Sequence, residues 1–422
     1  MIDKKRIGIE SNMKVLIFSA YYEPEITASL YITKNLFEDI AKSGCEVSLY
    51  VPIPTRGVDD EIRKIYSTTK KEESLISDRL KIHRISLPRE GKGAIGRALR
   101  YLLMNALFVF KSFKENPDVI FVQSTPPTQG AMAILIKKMK KVPFVYNLQD
   151  VFPDSLVGAG ITSNSSLLYK VGKVIENYTY KNSDNIIVIS EDMKNNLLNK
   201  NVPESKISVI SNWINSDQIK PIVKKDNYLF DKFKISRDKF TVVYAGNLGY
   251  AQNIEVILEA AKKLQDNPDI QFVIFGNGNQ EDNYKDMAKE MHLSNVVFFP
   301  LQPYSEVSYV YSLGDVSILP CKKGFGGSAM PSKTWSILAT GTPIIASFDT
   351  GTQIQSIIEK NELGLFGEAD DVDILANNIL DLYFNSEFRK KSSINARKYI
   401  ENNVSREKCT SEYIKVIHQV VK

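Results

Sequence analysis

Cysteine and histidine are scarce: the 422 residues contain three of each. Cys45, Cys321 and Cys409 are odd in number and far apart, which fits no disulfide framework, zinc spacing or redox pair and points to a reducing compartment. Three scattered histidines, His83, His292 and His418, do not suggest a histidine-built metal centre. Excess charge is small too. The 54 basic and 49 acidic residues leave a formal +5, which makes no case for nucleic acid and mildly favours an anionic membrane surface or substrate. The start, "MIDKKRIGIESN", has no apolar core, so no secretory signal is expected. The longest apolar stretch, "AIGRALRYLLMNALFVFKSFKE" (94–115), is broken by Arg97, Arg100 and Lys111 and is too short to span a bilayer. It reads as a buried helix of an α/β layer, with an interfacial helix as the alternative. No Walker motif is present. The nearest approach to a dinucleotide fingerprint, "FGNGNQ", has Gly276 and Gly278 without a third glycine.

What is present describes a globular α/β protein. Hydrophobic residues make up 43% and charged residues 24%, and the length suits two domains. Short apolar strands alternate with helical patterns in two series. The first runs "KVLIFSA", "EVSLYVP", "RLKIHRISL", "DVIFVQS", "PFVYNLQ" and "NIIVIS"; the second runs "FTVVYAG", "IQFVIFG", "NVVFFP", "DVSILP", "TPIIAS" and "LGLFG". Each series predicts a doubly wound, Rossmann-like parallel sheet covered on both faces. The division is placed at 1–215 and 216–404, with a change of pattern near 212–226. The charged, Ser/Thr-rich stretch 53–78 has no period and is expected to be a mobile loop.

In open α/β sheets ligands sit in the loops at the C-terminal strand ends, and a cleft between two such edges suits a two-substrate reaction. One loop stands out. In "GFGGSAMPSKTWSILATGTPIIAS" (324–347), Gly326 and Gly327 permit close backbone approach. Pro331 suits a first helical position, and the helix start offers free N–H groups to an anion. Lys333 adds a formal charge on the same turn, so a diphosphate is the expected guest. A plain loop is the alternative.

The ordered series "YAGNLGYAQNIEVILEAAKKL", "FVIFGNGNQ", "VVFFPLQPYSEVSYVYSLGDVSILP" and "PSKTWSILATGTPIIAS" resembles the donor half of retaining glycosyltransferases of family 4, with the GT-B fold. "YAGNLGYAQ", "MPSK" and "VPFVYNLQDVFPDS" resemble a subgroup that builds capsule and O-antigen units and includes N-acetyl-L-fucosamine transferases. The resemblance implies a nucleotide-sugar donor, UDP-linked, and transfer with retention to a lipid-linked saccharide acceptor. It further implies no metal or other cofactor, and a peripheral position at the cytoplasmic face of the plasma membrane. It also implies that the last helix, 405–422, returns to the first domain. Carried over by position, the donor contacts are Gly246, Asn247, Gln252, Gly276, Asn277, Leu301, Gln302, Gly326, Gly327, Ser328, Ala329, Met330, Pro331, Ser332, Lys333 and Ser336. Leu301 and Gln302 would read the base. Ser328 and Ser336 replace two glutamates found in many relatives, and no cation occupies the "GNLGYAQN" loop, which leaves Lys333 to meet the diphosphate.

Asp150, at the end of an apolar strand, is the catalytic candidate together with Lys333. Asp150 would accept the acceptor's proton or steady developing positive charge, with a helix cap as the alternative. Asp154 reads as a cap, and Glu25 and Thr27 as acceptor contacts. The "DDVD" run (370–373) reads as a helix N-cap, not as a metal motif. Serines at the glutamate positions also allow a second function, a catalytically weak relative acting as a partner in an assembly complex. A sugar-nucleotide epimerase, the third reading, would need more histidines in these loops.

Overall fold

The computed structural model describes residues 12–25, 30–91, 93–158, 162–328 and 330–421. Of the candidate residues, Thr27 and Ala329 and the side chain of Ser328 lie outside what is described.

In chain order the first fifteen elements are β1 (Lys14–Phe18), α1 (Leu30–Lys42), β2 (Glu46–Pro52), α2 (Asp60–Ser67), β3 (Glu72–Leu75), β4 (Leu80–Ile85), α3 (Ala94–Ser112), β5 (Val119–Gln123), α4 (Thr128–Lys140), β6 (Phe144–Leu148), α5 (Asp154–Gly158), α6 (Leu167–Asn182), β7 (Asn185–Val188), α7 (Glu191–Asn199) and β8 (Ile207–Val209). The next are α8 (Leu229–Lys232), β9 (Phe240–Asn247), α9 (Ile254–Lys263), β10 (Ile270–Asn277), α10 (Glu281–Glu290), β11 (Val296–Phe299), α11 (Val307–Tyr311), β12 (Val316–Pro320), α12 (Lys333–Ala339), β13 (Ile344–Phe348), α13 (Gln353–Asn361), β14 (Gly364–Glu368), α14 (Val372–Phe384), α15 (Ser386–Asn403) and α16 (Arg406–Val421).

Two compact units result, one from residues up to Asn212 together with Arg406 onward, the other from Trp213–Ser405. The first sheet has the order β3-β4-β2-β1-β5-β6-β7-β8, parallel except for β3. The second has the order β11-β10-β9-β12-β13-β14 and is parallel throughout. Numbered within its own unit, the second order is 3-2-1-4-5-6, the Rossmann arrangement, whose direction reverses between β9 and β12. The first repeats this plan, reversing between β1 and β5, with β3 and β8 added at its two edges.

The apolar strands are continuous because both faces are covered. Val15, Leu16, Ile17 and Phe18 of β1 are buried, as are all five residues of β12 and of β13. Helix α9 turns Ile254, Val256, Ile257, Leu258, Ala260 and Ala261 inward, and α14 packs beside it. Helix α16 packs on α1 and against β5, β6 and β7. The Arg406 guanidinium donates to both carboxylate oxygens of Asp39 on α1, each at 2.7 Å. Tyr413 donates its hydroxyl to Asn147 Oδ1 at 3.1 Å.

Two expectations need correction. The stretch 53–78 is not a structureless loop. Asp59 caps α2 through the Ile62 N–H, and β3 pairs antiparallel with β4 at the sheet edge. Charged residues are common on edge strands, where they discourage further pairing, so the strand carries no apolar signal. The stretch 94–115 is a helix, α3, but only its inner face is buried. Met104, Phe108 and Arg100 point in, and Arg100 donates to the Pro88 carbonyl at 3.0 Å; Leu99, Leu102, Leu103, Phe110 and Phe113 are exposed.

Candidate active site

The reversal in strand order between β9 and β12 opens the second sheet's C-terminal edge, and most donor-site candidates collect there. Strand β9 ends in Gly246 and Asn247, in register with Gly276 and Asn277 of β10. Gly246 has φ +150°, and a Cβ there would lie 2.8 Å from Lys333 Nζ, so the lysine amine reaches the β9 backbone only because that residue is glycine. Gly276 serves packing: a Cβ would sit 2.6 Å from the Gly246 carbonyl oxygen and 2.6 Å from the Leu248 side chain. Asn247 donates through Nδ2 to Gln252 Oε1 at 3.2 Å, which closes the loop after β9 on itself.

Lys333 opens α12, and its amine donates to the Tyr244 hydroxyl at 3.0 Å and stands 4.2 Å from the centre of that ring. Tyr244, inside β9, is buried, and its hydroxyl donates a hydrogen bond to the Asn247 carbonyl at 2.7 Å. Among the described residues no carboxylate lies within ion-pairing range of Lys333. Burial therefore pushes its amine down to about 7 from an ordinary 10.5. A half-buried amine beside an aromatic ring, with no counter-ion among the described residues, is a ready anion site.

The glycine loop differs from expectation in two ways. Pro331 is not the first helical residue; Ser332 is the N-cap, and the Thr334 N–H bonds back to the Pro331 carbonyl at 3.0 Å. The N–H groups of Gly324 and Gly326 already have a partner in the Asp349 carboxylate, at 2.9 and 2.7 Å. Asp349 follows β13, one strand over, and holds the loop in place. Gly327 is open, with nothing within 4 Å of a Cβ position. Met330 is buried, Pro331 half-buried and Ser332 exposed, while Ser336 is buried one turn into α12.

A second cation reaches this edge from the "PCKK" segment. Lys322 Nζ lies 3.8 Å from the Tyr250 ring centre, and the Lys322 backbone N–H donates to the Ala251 carbonyl at 2.9 Å. The loops after β9 and β12 are thereby joined. Leu301 and Gln302 follow β11 at the sheet's outer edge; Leu301 is exposed, and Gln302 donates to the Pro300 carbonyl at 2.8 Å. Sequence reasoning missed Tyr244, Asp349 and Lys322. The available signal for Asp349 was its position directly after an apolar strand.

In the first unit, Asp150 follows β6 and is exposed. Its carboxylate caps no described helix, and desolvation by the surrounding protein raises its pKa above 3.8. Asp154 is not a cap either: it accepts from Tyr169 at 2.9 Å and pairs with Lys200 at 2.7 Å, which ties α5 to α6 and α7. Glu25 is buried. One oxygen accepts the N–H groups of Thr55 and Arg56 at 2.7 and 3.1 Å, and the other has no partner among the described residues. Burial raises this carboxyl despite those bonds. Glu25 thus joins the loops after β1 and β2 from inside. In "DDVD", Asp371 caps α14 through the Ile374 N–H at 2.8 Å, and Asp370 accepts from Asn253. Among the described residues no cluster of three His, Cys, Asp or Glu side chains has metal-holding geometry.

Two Rossmann-like units, each with an open switch point, define the GT-B class. The family comparisons agree: residues 31–213 match the glycosyl transferase 4-like domain, and residues 226–399 match glycosyl transferases group 1. The chain belongs to this group 1, family-4-like set of glycosyltransferases. It is 27% identical over 422 residues to WcaI of Escherichia coli, a protein named for glycosyl transfer in colanic acid biosynthesis, covering 95% of this chain and 99% of that one. It is 23% identical over 428 residues to alpha-monoglucosyldiacylglycerol synthase of Acholeplasma laidlawii, covering 96% and 98%. Among solved structures, HepE of Anabaena in complex with UDP superposes with TM-score 0.72 at 11% identity, covering 96% of this chain and all of that one. WaaG, a glycosyltransferase involved in lipopolysaccharide biosynthesis, gives 0.67 at 14% identity, covering 96% and 99%. At these identities the structures establish the fold.

Proposed function

We propose that the protein transfers a sugar, with retention of configuration, from a UDP-linked donor to a lipid-linked saccharide during the synthesis of a surface polysaccharide. The transferred sugar is of the deoxy or N-acetylamino class, and the work is done at the cytoplasmic membrane face without a metal. The observation that carries this reading is the half-buried Lys333 amine, with no counter-ion among the described residues, beside Gly246 and Tyr244 at the switch point. The relative named for colanic acid synthesis and the UDP complex of HepE support it.

In the reaction the acceptor hydroxyl oxygen bonds to the anomeric carbon, the bond from that carbon to the β-phosphate oxygen breaks, and UDP departs. Lys333 meets the growing phosphate charge, which a desolvated cation does more strongly than one in water. Asp150 takes the hydroxyl proton or steadies positive charge at the anomeric carbon. Backbone around Leu301 and Gln302 reads the base.

Serines at positions 328 and 336 favour a second reading, a weakly active relative serving as a partner in an assembly complex. A thermal-shift screen of UDP-, GDP- and dTDP-sugars, followed by turnover on lipid-linked acceptors, separates the two. UDP-sugar binding with transfer supports the enzyme; UDP binding without transfer to any acceptor supports the partner.

A further inference from the structure

We propose that the helical layer formed by α3, α4 and α6 is a docking face for an anionic lipid bilayer. It deepens the lipid-linked-acceptor reading, and its test does not depend on turnover. The crossovers β4 to β5, β5 to β6 and β6 to β7 all run in one direction across the sheet, so right-handed connections place these three helices on one face, opposite α1 and α16. They pack side by side, joined by Asn105 Nδ2 to Thr128 Oγ1 at 2.8 Å and Lys138 Nζ to Tyr178 hydroxyl at 3.2 Å.

Two properties of the layer's outer surface coincide. The first is apolar: α3 exposes Leu99, Leu102, Leu103 and Phe110, the last at 64%, and α6 exposes Leu167, Val171, Val174 and Tyr178, with Val174 at 69%. Each set follows helical spacing, so each is a stripe along one side of its helix. The second is charge. The three helices carry nine Lys and Arg residues, of which only Arg100 is buried, and a single acidic residue, Glu176, which is also buried. The whole chain is nearly balanced, so the bias belongs to this layer. Among the described residues Arg97, Lys111, Lys138, Lys140, Lys170 and Lys181 form no ion pair. Exposed apolar stripes with unpaired cations match a bilayer interface, where apolar side chains enter the acyl boundary and the cations meet lipid phosphates. A purely aqueous role explains neither stripe.

The location also suits the reaction. The first half of α3 reaches the C-terminal edge of the first sheet, where Tyr101 and Tyr21 hydroxyls lie 2.6 Å apart and Tyr21 belongs to the loop after β1. A lipid-linked acceptor held at that edge keeps its chain in the bilayer against Leu99, Leu102 and Leu103.

The test is flotation of the full-length protein with phosphatidylglycerol-rich and with pure phosphatidylcholine vesicles. Wild-type protein is expected to favour the anionic vesicles by at least about tenfold, less so in high salt. Phe110→Glu with Val174→Glu, and separately Lys138→Glu with Lys181→Glu, are expected to lose about tenfold or more of that binding with unchanged unfolding temperatures. Phe384→Glu, more exposed still but in the other unit, is expected to bind like wild type. The proposal is overturned if wild type ignores anionic vesicles or if the charge-reversed variants bind as wild type does. It is also overturned if light scattering finds a dimer that the same substitutions dissociate, which would assign the face to a second copy. Vesicle binding without sugar transfer would sink the enzymatic reading and leave this one standing.

Discussion

The Lys333 amine and the Tyr244 hydroxyl lie 3.0 Å apart, with the amine also over the phenol ring. Among the described residues no carboxylate stands beside either one, and both are anchored in regular structure, α12 and β9. This pair puts a cation at the switch point that stays unbalanced until an anion arrives.

Proton uptake on binding is the first consequence. Desolvation pushes the Lys333 amine of the free protein down to about 7, and a diphosphate beside it favours the charged form and raises that value. The complex therefore holds more protons than the free protein near pH 7. Titration calorimetry of UDP in buffers of different ionisation enthalpy measures the uptake. UDP affinity is expected to fall as pH rises above 7; identical heats in all buffers would contradict it.

Apo stability should move the other way. The folded pKa of Lys333 lies below the unfolded 10.5, so the folded state binds fewer protons between about 7 and 10.5. The resulting penalty is full below pH 7 and fades as pH rises towards the unfolded value. Lys333→Met is expected to raise the apo unfolding temperature at pH 6 to 7 by a few degrees, with the gain shrinking at pH 10. Differential scanning fluorimetry across pH reads this directly.

Asp349→Ala removes the carboxylate that accepts the Gly324 and Gly326 N–H groups. Charge-assisted bonds of this kind contribute about 1.5–3 kcal/mol each when intact, but the loop is partly solvated and relaxes. The expected result is UDP affinity weakened about tenfold or more, with faster amide exchange confined to the loop. Unchanged exchange at 324–332 would show that the carboxylate does not hold it.

Asp150→Asn is expected to leave UDP-sugar affinity within about twofold and to lower transfer by about a hundredfold or more. In the wild type the raised carboxyl predicts an acidic limb in the pH–rate profile above the ordinary aspartate value, absent in the variant. Transfer at wild-type rate would remove Asp150 from the chemistry.

Much of the fold was legible because parallel strands buried on both faces write themselves as short apolar runs, and both sheets could be read from "KVLIFSA" to "LGLFG". What was not legible depended on edges and on partners distant in sequence. Strand β3 is charged because it lies at an edge. Helix α3 has an apolar outer face, which sequence alone cannot distinguish from an inner one. Lys333 stood out by its glycine-rich approach, but the Tyr244 hydroxyl that receives it, 89 residues away, left no local trace. Asp349 and Glu25 take up backbone N–H groups from other loops, and such pairings exist only once the sheet has set the loops side by side.

Calorimetric titration of UDP and of uridine into wild-type and Lys333→Ala protein decides whether this amine is a phosphate ligand. Loss of a charge-assisted contact of about 1.5–3 kcal/mol predicts roughly a 10- to 150-fold drop for UDP, with uridine binding almost unchanged. An equal drop for both ligands, or none for UDP, would contradict the assignment of the diphosphate to Lys333.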